Sequence, residues 1–135
     1  MSVTDPYAQY AENQITTASP GKLLLMAYDA AIRFGRVAQD KMRDGDLYEQ
    51  STNIRKVQNI LLELMAALDP KADRQLTANL DALYTYMFDR LTHANIHDDV
   101  KALEDVIQIM TELRSAWAEA DRLVRASSKE ERKAA

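Results

Sequence analysis

Residues 19–46, SPGKLLLMAYDAAIRFGRVAQDKMRDGD, decide the fold class. Ser19 reads as a helix N-cap, and Pro20 follows at the first helical position, where its missing N–H costs nothing. Gly45, between Asp44 and Asp46, reads as a left-handed stop. Between these marks Leu23, Ala27, Ala30, Phe34, Ala38 and Met42 recur every three or four residues, with Leu24, Tyr28 and Ala31 beside them. That period is helical. Only Gly35 falls inside the pattern, which suggests a close approach by a neighbouring helix against a cost of about 1 kcal/mol relative to Ala.

The same grammar continues outward. A second stripe runs from Leu47 to Leu68 through Ile54, Val57, Leu61 and Leu64, and Asp69-Pro70 closes it. A third runs from about Asp73 to Ala94 through Leu76, Leu80, Leu83, Met87 and Leu91. A fourth runs from about Asp98 to Val124 through Leu103, Val106, Met110, Leu113, Trp117 and Ala120. At the third junction Asn95 is expected to turn left-handed and Asp98 to cap the next helix. The helices would be roughly 22–27 residues, or about 33–40 Å, long. Near-heptad seams and short junctions predict an all-α fold, an antiparallel up-down-up-down four-helix bundle with an N-terminal extension. The expected organisation is an N-terminal segment over 1–18, the bundle over 19–125, and a polar, flexible tail over 126–135.

Composition bounds the rest. Three Gly and three Pro in 135 residues leave too little turn chemistry for a sandwich or barrel. The absence of Cys excludes a disulfide scaffold, a zinc finger and a thiol nucleophile. The N-terminus lacks the basic start and apolar run of a signal peptide, and no apolar run approaches the ~20 residues of a membrane span, so a cytoplasmic location without membrane insertion is expected. A net charge of −4 argues against a nucleic-acid partner. Asp98 and Asp99 at a helix start complement the dipole rather than form a catalytic pair. His93 and His97 are four apart, as metal ligands often are, but neither has a Glu three residues before it, so no metal or cofactor is expected. With no phosphate loop or nucleophile elbow either, no enzyme activity is expected.

What remains is excess apolar surface. The third helix carries Leu83, Tyr84, Tyr86, Met87, Phe88 and Leu91, and the first carries Leu23, Leu24, Leu25 and Met26. Such width reads either as a broad core or as a groove for another chain.

The ordered set of local patterns resembles the flagellar export chaperone family FliS. It comprises Tyr7 and Tyr10, then Thr17-Ala18-Ser19-Pro20, Lys22-Leu23-Leu24, Met26-x-Tyr28-Asp29-x-Ala31-Ile32, Gly45-Asp46, Leu64-x-x-x-Leu68-Asp69, Leu80-x-x-Leu83-Tyr84-x-Tyr86-Met87, Arg90-Leu91, Ala94-Asn95 and Ala116-Trp117. Ala27 and Ala30 depart from the pattern, which often has a larger residue and a Gly there. The resemblance implies a cytoplasmic type III export chaperone that binds the disordered C-terminal region of flagellin, prevents premature polymerisation and presents its cargo to a flagellar export gate component. It implies no cofactor. On this reading the cargo-binding candidates are Leu23, Met26, Leu83, Tyr84, Met87 and Leu91, with Arg90 as a further candidate for orienting cargo. Tyr7, Tyr10 and Ile15 are candidates for an N-terminal groove cap or cargo contact. The alternative is a bundle that self-associates in a structural or regulatory role; weak self-association of the chaperone is a further expectation.

Overall fold

The computed structural model describes residues 19–134. They form four helices, α1 (Pro20–Asp44), α2 (Leu47–Ala66), α3 (Arg74–His97) and α4 (Val100–Ala134). Each packs against the next, and α4 returns to α1, closing an antiparallel four-helix bundle. Cross-helix pairs give the register: Asp29 meets Arg114, Gln39 meets Glu104, Gln58 meets Thr92 and Arg90 meets Asp105.

The turns follow capping chemistry. Ser19 Oγ accepts the Lys22 N–H at 3.3 Å. Gly45 has φ 77°, and the following Asp46 N–H reaches back to Lys41 O at 2.9 Å. An L-residue with a side chain meets steric strain there, so glycine is favoured. Asp46 caps α2 by accepting the Glu49 N–H at 3.1 Å, and Asp73 caps α3 by accepting the Leu76 N–H at 3.0 Å.

Three boundaries differ from expectation. Helix α2 stops at Ala66, two residues short of Leu68. Helix α3 runs three residues past Ala94, so the left-handed residue is Asp98, with φ 50°, rather than Asn95. Asn95 is held by tertiary contacts: its side-chain oxygen accepts from Ser51 Oγ at 3.0 Å and Gln50 Nε2 at 3.2 Å. Asp99 takes the capping role, accepting the Ala102 N–H at 3.1 Å. Helix α4 continues through Ala134, where a flexible tail was expected. Good helix formers without a breaker sustain it, with the Glu119–Arg122 and Asp121–Arg125 pairs one turn earlier.

The core also corrects one stripe. Helix α1 buries Tyr28, Ala31, Gly35, Ala38 and Met42. Leu23, Ala27, Ala30 and Phe34, expected at its seam, instead lie on its flank, half-buried or exposed. Gly35 makes the close approach possible: a Cβ there would sit 3.0 Å from Ile107 Cγ1 of α4. The remaining core comes from Ile54, Val57 and Leu61, from Leu80, Tyr84, Met87 and Leu91, and from Leu103, Val106 and Met110.

Candidate docking grooves

Tyr28 is fully buried because its hydroxyl has partners inside the bundle. It shares a 2.6 Å hydrogen bond with the Tyr84 hydroxyl and accepts the Trp117 indole N–H at 3.1 Å. Burial pushes both tyrosine hydroxyls above their usual range, so both are neutral. This three-ring cluster joins α1, α3 and α4 near the end of the bundle that carries the α2–α3 loop.

Two depressions open above it. The larger, about 880 Å³, lies between the start of α1 and the last turns of α4. Its floor is Pro20, Leu24, Trp117, Ala120 and Val124, and Arg125, Lys129 and Arg132 line its far end. The smaller, about 230 Å³, lies under the α2–α3 loop between Leu64, Leu68, Leu76 and Leu80. Leu24 and Trp117 line both, so the two form a continuous apolar track across this end. Gly21 packs against Asp121, so α4 projects about 20 Å beyond the start of α1 over residues 122–134.

The sequence-derived candidates divide in two. Leu23 is 38% exposed, and Met26 and Leu83 are half-buried, so a partner can reach all three from outside. Tyr84, Met87 and Leu91 lie in the core at 2%, 0% and 0% exposure. Tyr84 serves the tyrosine–tryptophan cluster, while Met87 and Leu91 fill the bundle interior; none offers a docking surface in this arrangement. Tyr86, by contrast, is exposed, and at the register set by Arg90 and Asp105 it is level with Ile109 on the α3–α4 flank. Arg90 itself is turned to Asp105 at 3.5 Å. Tyr7, Tyr10 and Ile15 lie outside the described residues. Leu24, Val124 and the basic end of the groove were not among the candidates. Their signal is the spacing Trp117, Ala120, Val124, Ser128 and Arg132, which continues one helix face beyond the last core residue.

Among the described residues, no three His, Asp or Glu side chains converge as metal ligands. His93 Nε2 lies 3.1 Å from Asp99 Oδ2, and its ring lies 4.5 Å from that of His97, so this pair ties the end of α3 to the start of α4. No helix is long and apolar enough to cross a membrane, among the described residues.

Both the sequence and the helical-bundle fold match known proteins. The family model described as flagellar protein FliS aligns with residues 3–124. The chain belongs to the FliS family. The flagellar secretion chaperone FliS of Bacillus subtilis is 37% identical over 120 residues, spanning 89% of each chain. The FliS chaperone of Escherichia coli is 35% identical over 118 residues, spanning 86% of this chain and 87% of that one. A solved bacterial flagellar chaperone shares the fold at a TM-score of 0.73 and 20% identity, covering 87% of this chain and 98% of the other. FliS is a chaperone family rather than an enzyme family, and the export-chaperone assignment rests on that membership.

Proposed function

We propose that this FliS-family chain acts in the cytoplasm as a type III export chaperone for flagellin. It holds the disordered C-terminal region of flagellin, prevents premature polymerisation and delivers the cargo to an export gate component. The observation that carries this reading is a preformed apolar track, open to solvent, in a member of a chaperone family.

The physical logic follows from the surface. A disordered amphipathic segment orders as it buries apolar anchors, and that ordering costs about 2–5 kcal/mol. The cost tempers the affinity, which suits a carrier that must release. Cargo rests on the helix flanks, at Leu23, Met26 and Leu83, and on the Leu24–Trp117 track; Tyr84, Met87 and Leu91 support these surfaces from below. On this reading Tyr7, Tyr10 and Ile15 cover the large groove when cargo is absent, which is supported by Ser19, the first described residue, lining that groove.

Calorimetric titration with a flagellin C-terminal segment tests the reading. A saturable complex of fixed stoichiometry is expected. Absence of heat and of co-sedimentation, with concentration-dependent self-assembly instead, overturns it in favour of a self-associating bundle. A chain lacking residues 2–17 is expected to bind cargo faster or more tightly; unchanged affinity in the folded chain refutes the cap.

A further inference from the structure

The opposite end of the bundle carries the α1–α2 and α3–α4 turns and no part of the apolar track. Three of its large apolar side chains stand in solvent: Leu47 at 61%, Tyr48 at 76% and Ile96 at 69% exposure. These values exceed that of Leu23 at the flank, and none of the three residues is needed to fill the core. The Ser51–Asn95 bond at 3.0 Å places them together, because Leu47 and Tyr48 stand one turn before Ser51, and Ile96 adjoins Asn95. All three therefore lie at the turn end of the α2–α3 pair.

Carboxylates outnumber basic side chains around them. Residues 44–51 and 95–100 carry Asp44, Asp46, Glu49, Asp98 and Asp99, and no Lys or Arg. Lys101 lies just beyond the second stretch, and exposed Arg55 lies two turns along α2 from Tyr48. The adjoining Arg43 is turned to Asp40 at 3.9 Å. Asp99 stays ionised: the Ala102 N–H and the His93 ring hold its carboxyl below the usual range. The far end of α4, by contrast, is rich in Arg and Lys.

We propose that Leu47, Tyr48 and Ile96, framed by these carboxylates, form a second docking surface, for a basic amphipathic helix presented by another protein. Apolar side chains of the helix cover the exposed patch, and Lys or Arg on its rim meets the carboxylates. Opposite charges at the rim chiefly set encounter rate and orientation, while the aromatic anchor supplies hold. Because this surface lies away from the Leu24–Trp117 track, a chaperone can engage this partner while loaded. The proposal does not depend on the identity of the cargo.

The test uses the full chain without cargo and a synthetic amphipathic peptide with Leu at i, i+3, i+4 and i+7 and Lys on its remaining face. Amide shift mapping by NMR is expected to place the peptide at residues 44–51 and 95–100. Raising salt from 50 to 300 mM should weaken binding several-fold, and the same peptide with Glu for Lys should not bind. Tyr48→Ser combined with Ile96→Ser should weaken binding at least tenfold while leaving the circular dichroism spectrum unchanged. Shifts centred on Trp117, equal binding of the Glu peptide, or unchanged affinity in the double variant would overturn the proposal. So would a concentration-dependent dimer that the double variant abolishes, since the occupant would then be a second copy. The shift map and the peptide charge swap decide the matter even if the double variant fails to fold.

Discussion

The tyrosine–tryptophan cluster makes an asymmetric prediction. Tyr28 Oη holds two hydrogen bonds, one with Tyr84 at 2.6 Å and one from Trp117 at 3.1 Å. Tyr28→Phe removes the oxygen common to both and strands the buried Tyr84 hydroxyl. A net bond contributes about 1 kcal/mol, and a stranded buried group costs about 1–3 kcal/mol. Trp117 is only half-buried, so water can meet its N–H. The expected loss is about 3 kcal/mol. Tyr84→Phe removes one bond and leaves Tyr28 with Trp117, for a loss of about 1 kcal/mol. Urea unfolding followed by circular dichroism measures both, with a shared slope showing that compactness is unchanged. Equal losses, or a larger loss for Tyr84→Phe, would refute the assignment of Tyr28 as the shared centre. The cluster also sets an alkaline limit. Burial raises both hydroxyl pKa values above the unfolded value near 10, so their contribution is complete below pH 10 and is lost as pH rises beyond it. Each such group adds up to about 1.4 kcal/mol per pH unit to the decline, so Tyr84→Phe should make the fall above pH 10 shallower.

Met87→Ala should destabilise the fold by about 2–5 kcal/mol in thermal or urea unfolding, as expected for an interior side chain. Met26→Ala should instead weaken titrated flagellin binding with little change in stability. Gly35→Ala should cost about 1 kcal/mol net, because crowding against Ile107 Cγ1 outweighs the helix-propensity gain; in the background of Ile107→Ala, which removes that atom, the penalty should shrink in a double-mutant cycle. Asp46→Ala should cost about 1 kcal/mol in urea unfolding through the lost α2 cap. Removing residues 126–135 should lower helical ellipticity but shift the unfolding free energy by less than about 0.5 kcal/mol.

The first three helix starts were legible because their chemistry is local, whereas the cap of α4 falls at Asp99 rather than the expected Asp98. Ser19, Asp46 and Asp73 each bond an N–H three residues on, and each precedes a periodic run. Gly45 was legible for the same reason. The end of α3 was not, because Asn95 is held by Gln50 and Ser51 from a helix 44 and 45 residues away, and no local pattern reports that. The face of α1 was misjudged by one position. Two adjacent apolar stripes were available, and the choice between them rests on the Tyr28 hydroxyl finding Tyr84 and on Gly35 admitting Ile107. That same ambiguity hid the site: Tyr84 and Met87 read as surplus apolar width, yet the core consumes them. The surplus that reaches solvent lies at Leu23, Leu83 and Tyr86 and along α4 beyond Trp117. In α4 the periodic stripe marks Trp117, Ala120 and Val124 as seam rather than groove floor, and the basic far end at Arg125, Lys129 and Arg132 carries no hydrophobic signal at all.

Trp117 is the chain's single tryptophan, and it forms part of the wall of both depressions. Its indole is hydrogen-bonded on one side to a buried phenol and open on the other to whatever enters. The protein thus carries an optical probe of its own occupancy. Displacing water from either depression changes the polarity around one fluorophore, with no background from a second. Loading and unloading can therefore be followed on unlabelled protein, in real time, from emission wavelength alone, provided the cargo segment used carries no tryptophan.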